Sequence, residues 1–112
     1  MKFLKLAGAG LIINIAGLQF ALAAEWRFCI APSDRENKTH MTNPFLTSTS
    51  METLERDFDQ LLGPWNRLHD SVQCPTGADE QSVRTMREYA EVFNQQIGKM
   101  VVLIDWKPVS MR

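Results

Sequence analysis

The hydrophobic rhythm of the chain changes along its length. Residues 11–24 form an apolar run broken only by Asn14, Gly17 and Gln19. From residue 25 the pattern alternates: Trp26, Phe28 and Ile30 are separated by Arg27, Cys29 and Ala31, the period of two of a β-strand. Pro32-Ser33-Asp34 predicts the end of that strand, and the charged stretch 35–38 predicts a turn. Residues 39–45 predict a second, weaker strand, with Pro44 setting it at an edge or at the strand's end.

The period then lengthens. Thr47-Ser48-Thr49-Ser50 reads as a helix entrance, with Thr49 and Glu52 spaced as a capping box. Leu54, Phe58, Leu61 and Leu62 follow at helical spacing on one face, and Gly63-Pro64 predicts the stop. Residues 65–68 fit neither pattern, and 69–74 predict a short strand closed by Pro75. Thr76-Gly77-Ala78-Asp79 opens a second helix whose apolar positions are Val83, Met86, Ala90, Phe93 and Ile97. Gly98 stands where a left-handed C-cap belongs. Residues 100–106 give the strongest strand, and the run Val101-Val102-Leu103-Ile104 predicts a central position covered on both faces. Pro108 ends it. The order strand, possible strand, helix, strand, helix, strand predicts an α+β domain, with two helices packed on one face of a three- to four-stranded sheet.

Composition alters this picture at the N-terminus. Residues 1–24 carry Lys2 and Lys5, no acidic residue, and end in Ala21-Leu22-Ala23-Ala24. A basic start, an apolar middle and small residues at −3 and −1 describe a secretory signal peptide, cut after Ala23 or Ala24. The chain then divides into a leader (1–24), one small domain (25–108) and a loose tail (109–112). Of the 112 residues about 88 remain after cleavage, near the size at which a hydrophobic core alone is marginal. The formal charge of −1 becomes about −3, because all 13 acidic residues lie beyond the leader and two of the 12 basic ones lie within it. Such a balance carries no electrostatic footprint for nucleic acid. No second long apolar run follows, so no stable membrane span is expected after cleavage.

Cys29 and Cys74 are the only cysteines, and both lie in the exported part. In an oxidising compartment an isolated pair reads as a disulfide. Closing a loop of this length stabilises a chain by about 4 kcal/mol in the chain-entropy account. A metal site would want closer ligand spacing, and a redox-active pair would usually be C-x-x-C.

Trp26, Cys29, Thr42, Phe45, Phe58, Cys74, Pro75, Gly98, Lys99, Val101, Trp106 and Pro108 make up a wider pattern. An aromatic-x-Cys strand and a Cys-Pro step are followed by Gly-Lys-x-Val and Trp-x-Pro. This resembles a group of small exported bacterial domains, single or tandem, with no assigned activity. The resemblance spans nearly the whole mature chain and implies a bacterial exported protein with Cys29 bonded to Cys74. It implies no catalytic residues. Where such domains tend to carry tyrosines in the second strand, this chain has His40 and Met41.

Candidate chemistry is sparse. His69-Asp70, with His40, would suit a small hydrolase or a metal-dependent enzyme. Adjacent residues on a strand point to opposite faces, however, and do not pair simply. No P-loop, dinucleotide fingerprint, G-x-S-x-G, H-E-x-x-H or EF-hand loop occurs. Catalytic residues, metal and cofactor are therefore expected to be none. Glu52, Glu55, Asp57 and Asp59 read as a solvated helix face. Trp26, Trp65 and Trp106 fill a core or form an aromatic platform for glycan or peptide. The leading expectation is a non-enzymatic periplasmic or secreted domain that binds an envelope protein or peptidoglycan, with Trp65, His40 and Phe45 on its binding surface. An inhibitor or immunity-type protein shares the size, the disulfide and the acidic balance.

Overall fold

The computed structural model describes residues 23–66 and 71–109, with the side chains of 64–66 excepted. Residues 1–22, residues 67–70 with the pair His69-Asp70, and residues 110–112 fall outside the described residues.

The first apolar alternation yields two short strands in line, β1 (Glu25–Arg27) and β2 (Ile30–Ser33). The chain turns through residues 34–37, with Asn37 in the left-handed region at φ 55°, which a short polar side chain tolerates. It returns as β3 (Lys38–Met41) and β4 (Phe45–Thr47). β1 pairs with β4 and β2 with β3, both antiparallel, so the four form one long hairpin. It is broken at its middle, where Phe28-Cys29 faces the three residues 42–44.

Pro44 explains the break, because it has no N–H to give a ladder. The extra residue makes a bulge, and Thr42 fills it. Its backbone N–H donates to the Cys29 carbonyl at 3.0 Å, and its buried hydroxyl accepts the Cys29 N–H at 3.0 Å. The second strand expected over 39–45 is thus two strands hinged at Thr42.

α1 (Met51–Asn66) begins one residue later than the capping box implies. Ser50 is the cap: its hydroxyl accepts the Thr53 N–H at 3.3 Å, and its carbonyl accepts the Leu54 N–H at 3.0 Å. The helix runs past Gly63-Pro64 to Asn66, since a proline removes one donor while Leu61 and Leu62 stay packed in the core. β5 (Thr76–Gly77) then pairs antiparallel with β1. Ile30 and Gln73 exchange both backbone hydrogen bonds at 2.8 and 3.0 Å, in the same register. Residues 73–77 therefore act as one edge strand, in which Pro75 is tolerated.

α2 (Glu80–Gln96) starts on Asp79, whose carboxylate accepts the Ser82 N–H at 2.8 Å. That backbone bond, with the Ser82 hydroxyl, holds the Asp79 carboxyl below its ordinary pKa. The helix ends in a Schellman motif: Gly98, at φ +90°, donates to the Gln95 carbonyl, and Lys99 donates to that of Asn94. β6 (Met100–Leu103) then pairs parallel to β3. The strand orders are β4-β1-β5 and β2-β3-β6.

The protein is α+β, with two helices on small sheets, as the element order implies. The helices do not share one face. Cys29, Ala31 and Phe45 pack with Leu54, Phe58 and Leu62 of α1. The alternate residues Trp26, Phe28 and Ile30 pack with Val83, Met86 and Ala90 of α2. Side chains alternate across a strand, so each helix covers its own face. The physical reason lies in the middle of β1–β2, which buries Phe28 on one face and Cys29 and Ala31 on the other. β6, expected at the centre, is instead an edge strand with Met100 and Leu103 exposed.

One close approach locks α2 to β5. A Cβ on Gly77 would lie 2.7 Å from Val83 Cγ2 and 3.2 Å from the Val83 nitrogen. Gly77→Ala is expected to cost about 1–3 kcal/mol as overpacking, lowering the melting temperature by several degrees. Combined with Val83→Ala the cost should be less than additive. A thermal double-mutant cycle measures this coupling, and strict additivity would show that the close approach is not real.

Candidate binding surfaces

Cys29 and Cys74 are joined as a disulfide of 2.05 Å, with Cα atoms 4.0 Å apart. The register that pairs Ile30 with Gln73 and Arg27 with Thr76 sets the two cysteines directly opposite each other across the strands. Charged side chains hold the Cys74 backbone on both sides. Arg27 donates to its carbonyl at 2.7 Å, and its N–H donates to the Glu55 carboxylate at 3.1 Å. Arg27 is itself buried and bonded to Glu25 at 2.7 Å. These groups fix the staple.

Of the residues expected on the binding surface, His40 lies on β3 and is buried, opposite Ala31 and Val102. Phe45 is buried on β4, with its ring edge-on to Trp106 at 6.0 Å. Both side chains belong to the interior. Trp65 lies within α1, and its side chain is outside the described residues. His69 and Asp70 are outside them as well, so a cluster with His40 has no geometry to report. Among the described residues no three His, Cys, Asp or Glu side chains gather as a metal site.

One surface that does face solvent includes two residues the periodicity assigned to the core. Phe93 and Ile97 continue the 83-86-90 spacing in the sequence, yet they are 59% and 52% exposed. The inward position after Ala90 is taken by Asn94. Its amide donates to the Ala90 carbonyl at 2.7 Å, and its oxygen accepts the buried Thr39 hydroxyl at 2.6 Å. An asparagine with both halves bonded can be buried at little cost, and it turns Phe93 and Ile97 outward. Tyr89, 75% exposed, and Val92, 49% exposed, join them at steps of three and four. A shallow hollow of about 350 Å³ lies along this face between Thr85, Glu88, Tyr89 and Val92. The other flank of α2 is polar, tied by Arg84–Glu80 and Arg87–Glu91 pairs.

A second surface lies on the α1 side. Trp106 packs on Phe58 with ring centres 5.3 Å apart and lines two hollows, of about 620 and 430 Å³. No protein-family model, curated protein or solved structure matches the chain. Among the described residues no helix is long and apolar enough to cross a membrane.

Proposed function

We propose that this is an exported, non-enzymatic binding domain of the bacterial envelope, which docks another envelope protein through the outer face of α2. The observation that carries the reading is the exposed group Tyr89, Val92, Phe93 and Ile97 on a small domain. Large apolar side chains gathered on one helix face are costly to leave in water, and such patches mark interaction sites. Aromatic residues of this kind supply most of the binding energy where a pocket receives them. Export is supported by the leader-like residues 1–24 and by a buried disulfide, which persists in oxidising compartments. The likeness to small exported domains points the same way.

The test is site-specific photo-crosslinking in intact cells of the source bacterium, from probes placed at Tyr89 and Phe93. Both are expected to trap one and the same envelope protein, while a probe at Gln95 on the polar flank traps none. Tyr89→Ser/Phe93→Ser should abolish the adduct formed from a third probe at Val92 and leave the melting temperature unchanged. The same adduct from the Gln95 probe as from Tyr89 and Phe93, or a product of twice the protein's own mass, would refute docking of a different protein on this face. Recovery of the protein with its leader intact in the cytoplasm would refute export.

A further inference from the structure

Trp106 follows β6 and is wedged against α1, tilted 39° to the Phe58 ring and 86° to that of Phe45. Packing on these two rings leaves the indole half-buried and fixed in place. Its remaining surface is the wall between two open hollows. The larger is bounded by Ser48, Thr49, Thr53, Asp57 and Val109. The smaller is bounded by Asn43, Pro44, Phe45, Asp105 and Lys107. Each therefore combines part of one rigid aromatic ring, one carboxylate, and neutral hydroxyl or amide groups.

We infer that this ridge and its two hollows form a binding site for an uncharged oligosaccharide, with a pyranose ring on either side of Trp106. A pyranose offers an apolar face of C–H bonds and a rim of hydroxyls. The negative face of an indole attracts such C–H groups, and a ring already held by Phe58 and Phe45 loses little freedom on binding. Asp57 and Asp105 accept sugar hydroxyls in charge-assisted hydrogen bonds. Ser48, Thr53 and Asn43 both donate and accept, as a hydroxyl rim requires.

Other ligand classes fit less well. A phosphorylated or carboxylated ligand meets Asp57 and Asp105 with Lys107 as the lone cation lining either hollow. A wholly apolar one strips water from these polar groups without replacing their bonds. A cationic peptide satisfies the carboxylates and can set a cation over the indole, but it meets Lys107 in the smaller hollow and leaves the hydroxyl and amide rim without partners. The site shares no residue with the outer face of α2, so either can fail while the other stands.

The experiment follows the indole N–H signals of Trp26, Trp65 and Trp106 by heteronuclear NMR. The oxidised protein is titrated with chitotetraose, cellotetraose or tetralysine up to about 10 mM, where even millimolar affinity approaches saturation. The Trp106 signal is expected to shift saturably with at least one saccharide, while Trp26, on the opposite face of the sheet, stays still. Asp57→Ala and Asp105→Ala should each weaken that binding about three- to tenfold, the weight of one hydrogen bond. Their melting temperatures should remain unchanged, since both side chains lie at the surface. A well-dispersed spectrum in which neither saccharide moves Trp106 overturns the proposal. So does tighter binding of tetralysine, or an affinity indifferent to both carboxylates.

Discussion

Replacing both cysteines, in Cys29→Ala/Cys74→Ala, is expected to lower the melting temperature by about 15–30 °C. The 45-residue separation closed by the bond corresponds to about 4 kcal/mol of unfolded-state entropy. In a domain of this size each kcal/mol moves the midpoint by about 4–8 °C. The loop so closed holds β2, β3, β4 and α1, about two fifths of the chain. Both half-cystines are fully buried in the α1-side core, so removing them also leaves space behind. The same loss should follow when the native protein is melted in reductant. A shift of only two or three degrees in either experiment would mean that pairing and packing alone hold residues 73–77 against β1 and β2. The single variant Cys29→Ala should be no more stable than the double one, because it leaves an unpaired thiol among apolar groups.

Local chemistry made much of this fold legible. A left-handed C-cap needs only a glycine in the right place, and Gly98 has it. An N-cap needs only a short acceptor before a helix, which Asp79 supplies. The two helices and the extended segment on either side of Cys29 follow from periodicity, and the disulfide from the redox logic of an isolated pair. Long-range competition was not legible. Val101-Val102-Leu103-Ile104 has the composition of a central strand, yet β6 lies at an edge, paired with β3 alone among the described strands. The 83-86-90-93-97 series is a sound helical stripe until Asn94 finds Thr39 on β3 beneath the helix, a contact that depends on residues 55 positions apart.

The candidate surfaces show the same limit. His40 and Phe45 read as available because polar and aromatic residues in a weak strand commonly face solvent. Burial on the α1 side depends on which face the bulge at Thr42 turns inward, and that bulge is a tertiary feature. Trp106 was legible as an aromatic worth noting. Its position between two hollows was not, because the hollows are made by residues 43–45, by the 48–57 segment and by the chain after β6, which meet only in the folded state.

Phe58 ties that folded core to the surface above it. It lies between Leu54 and Leu62 on α1, all three fully buried at successive steps of four, and its ring supports the Trp106 indole. Phe58→Ala is expected to cost about 3–5 kcal/mol, the usual range for removing a core phenyl ring and leaving its volume only partly refilled. Phe58→Leu should recover most of that loss. The two variants separate packing from posture. Both lack the ring on which the indole leans, so both should weaken the near-ultraviolet circular dichroism of tryptophan, while only the alanine variant melts far lower. A cost under about 1 kcal/mol for Phe58→Ala would place the residue outside a close-packed core. Full retention of the tryptophan signal in Phe58→Leu would show that Trp106 is held by Phe45 and the chain around Pro108 instead. In that case the rigid wall on which saccharide binding depends would rest on β4, not on α1.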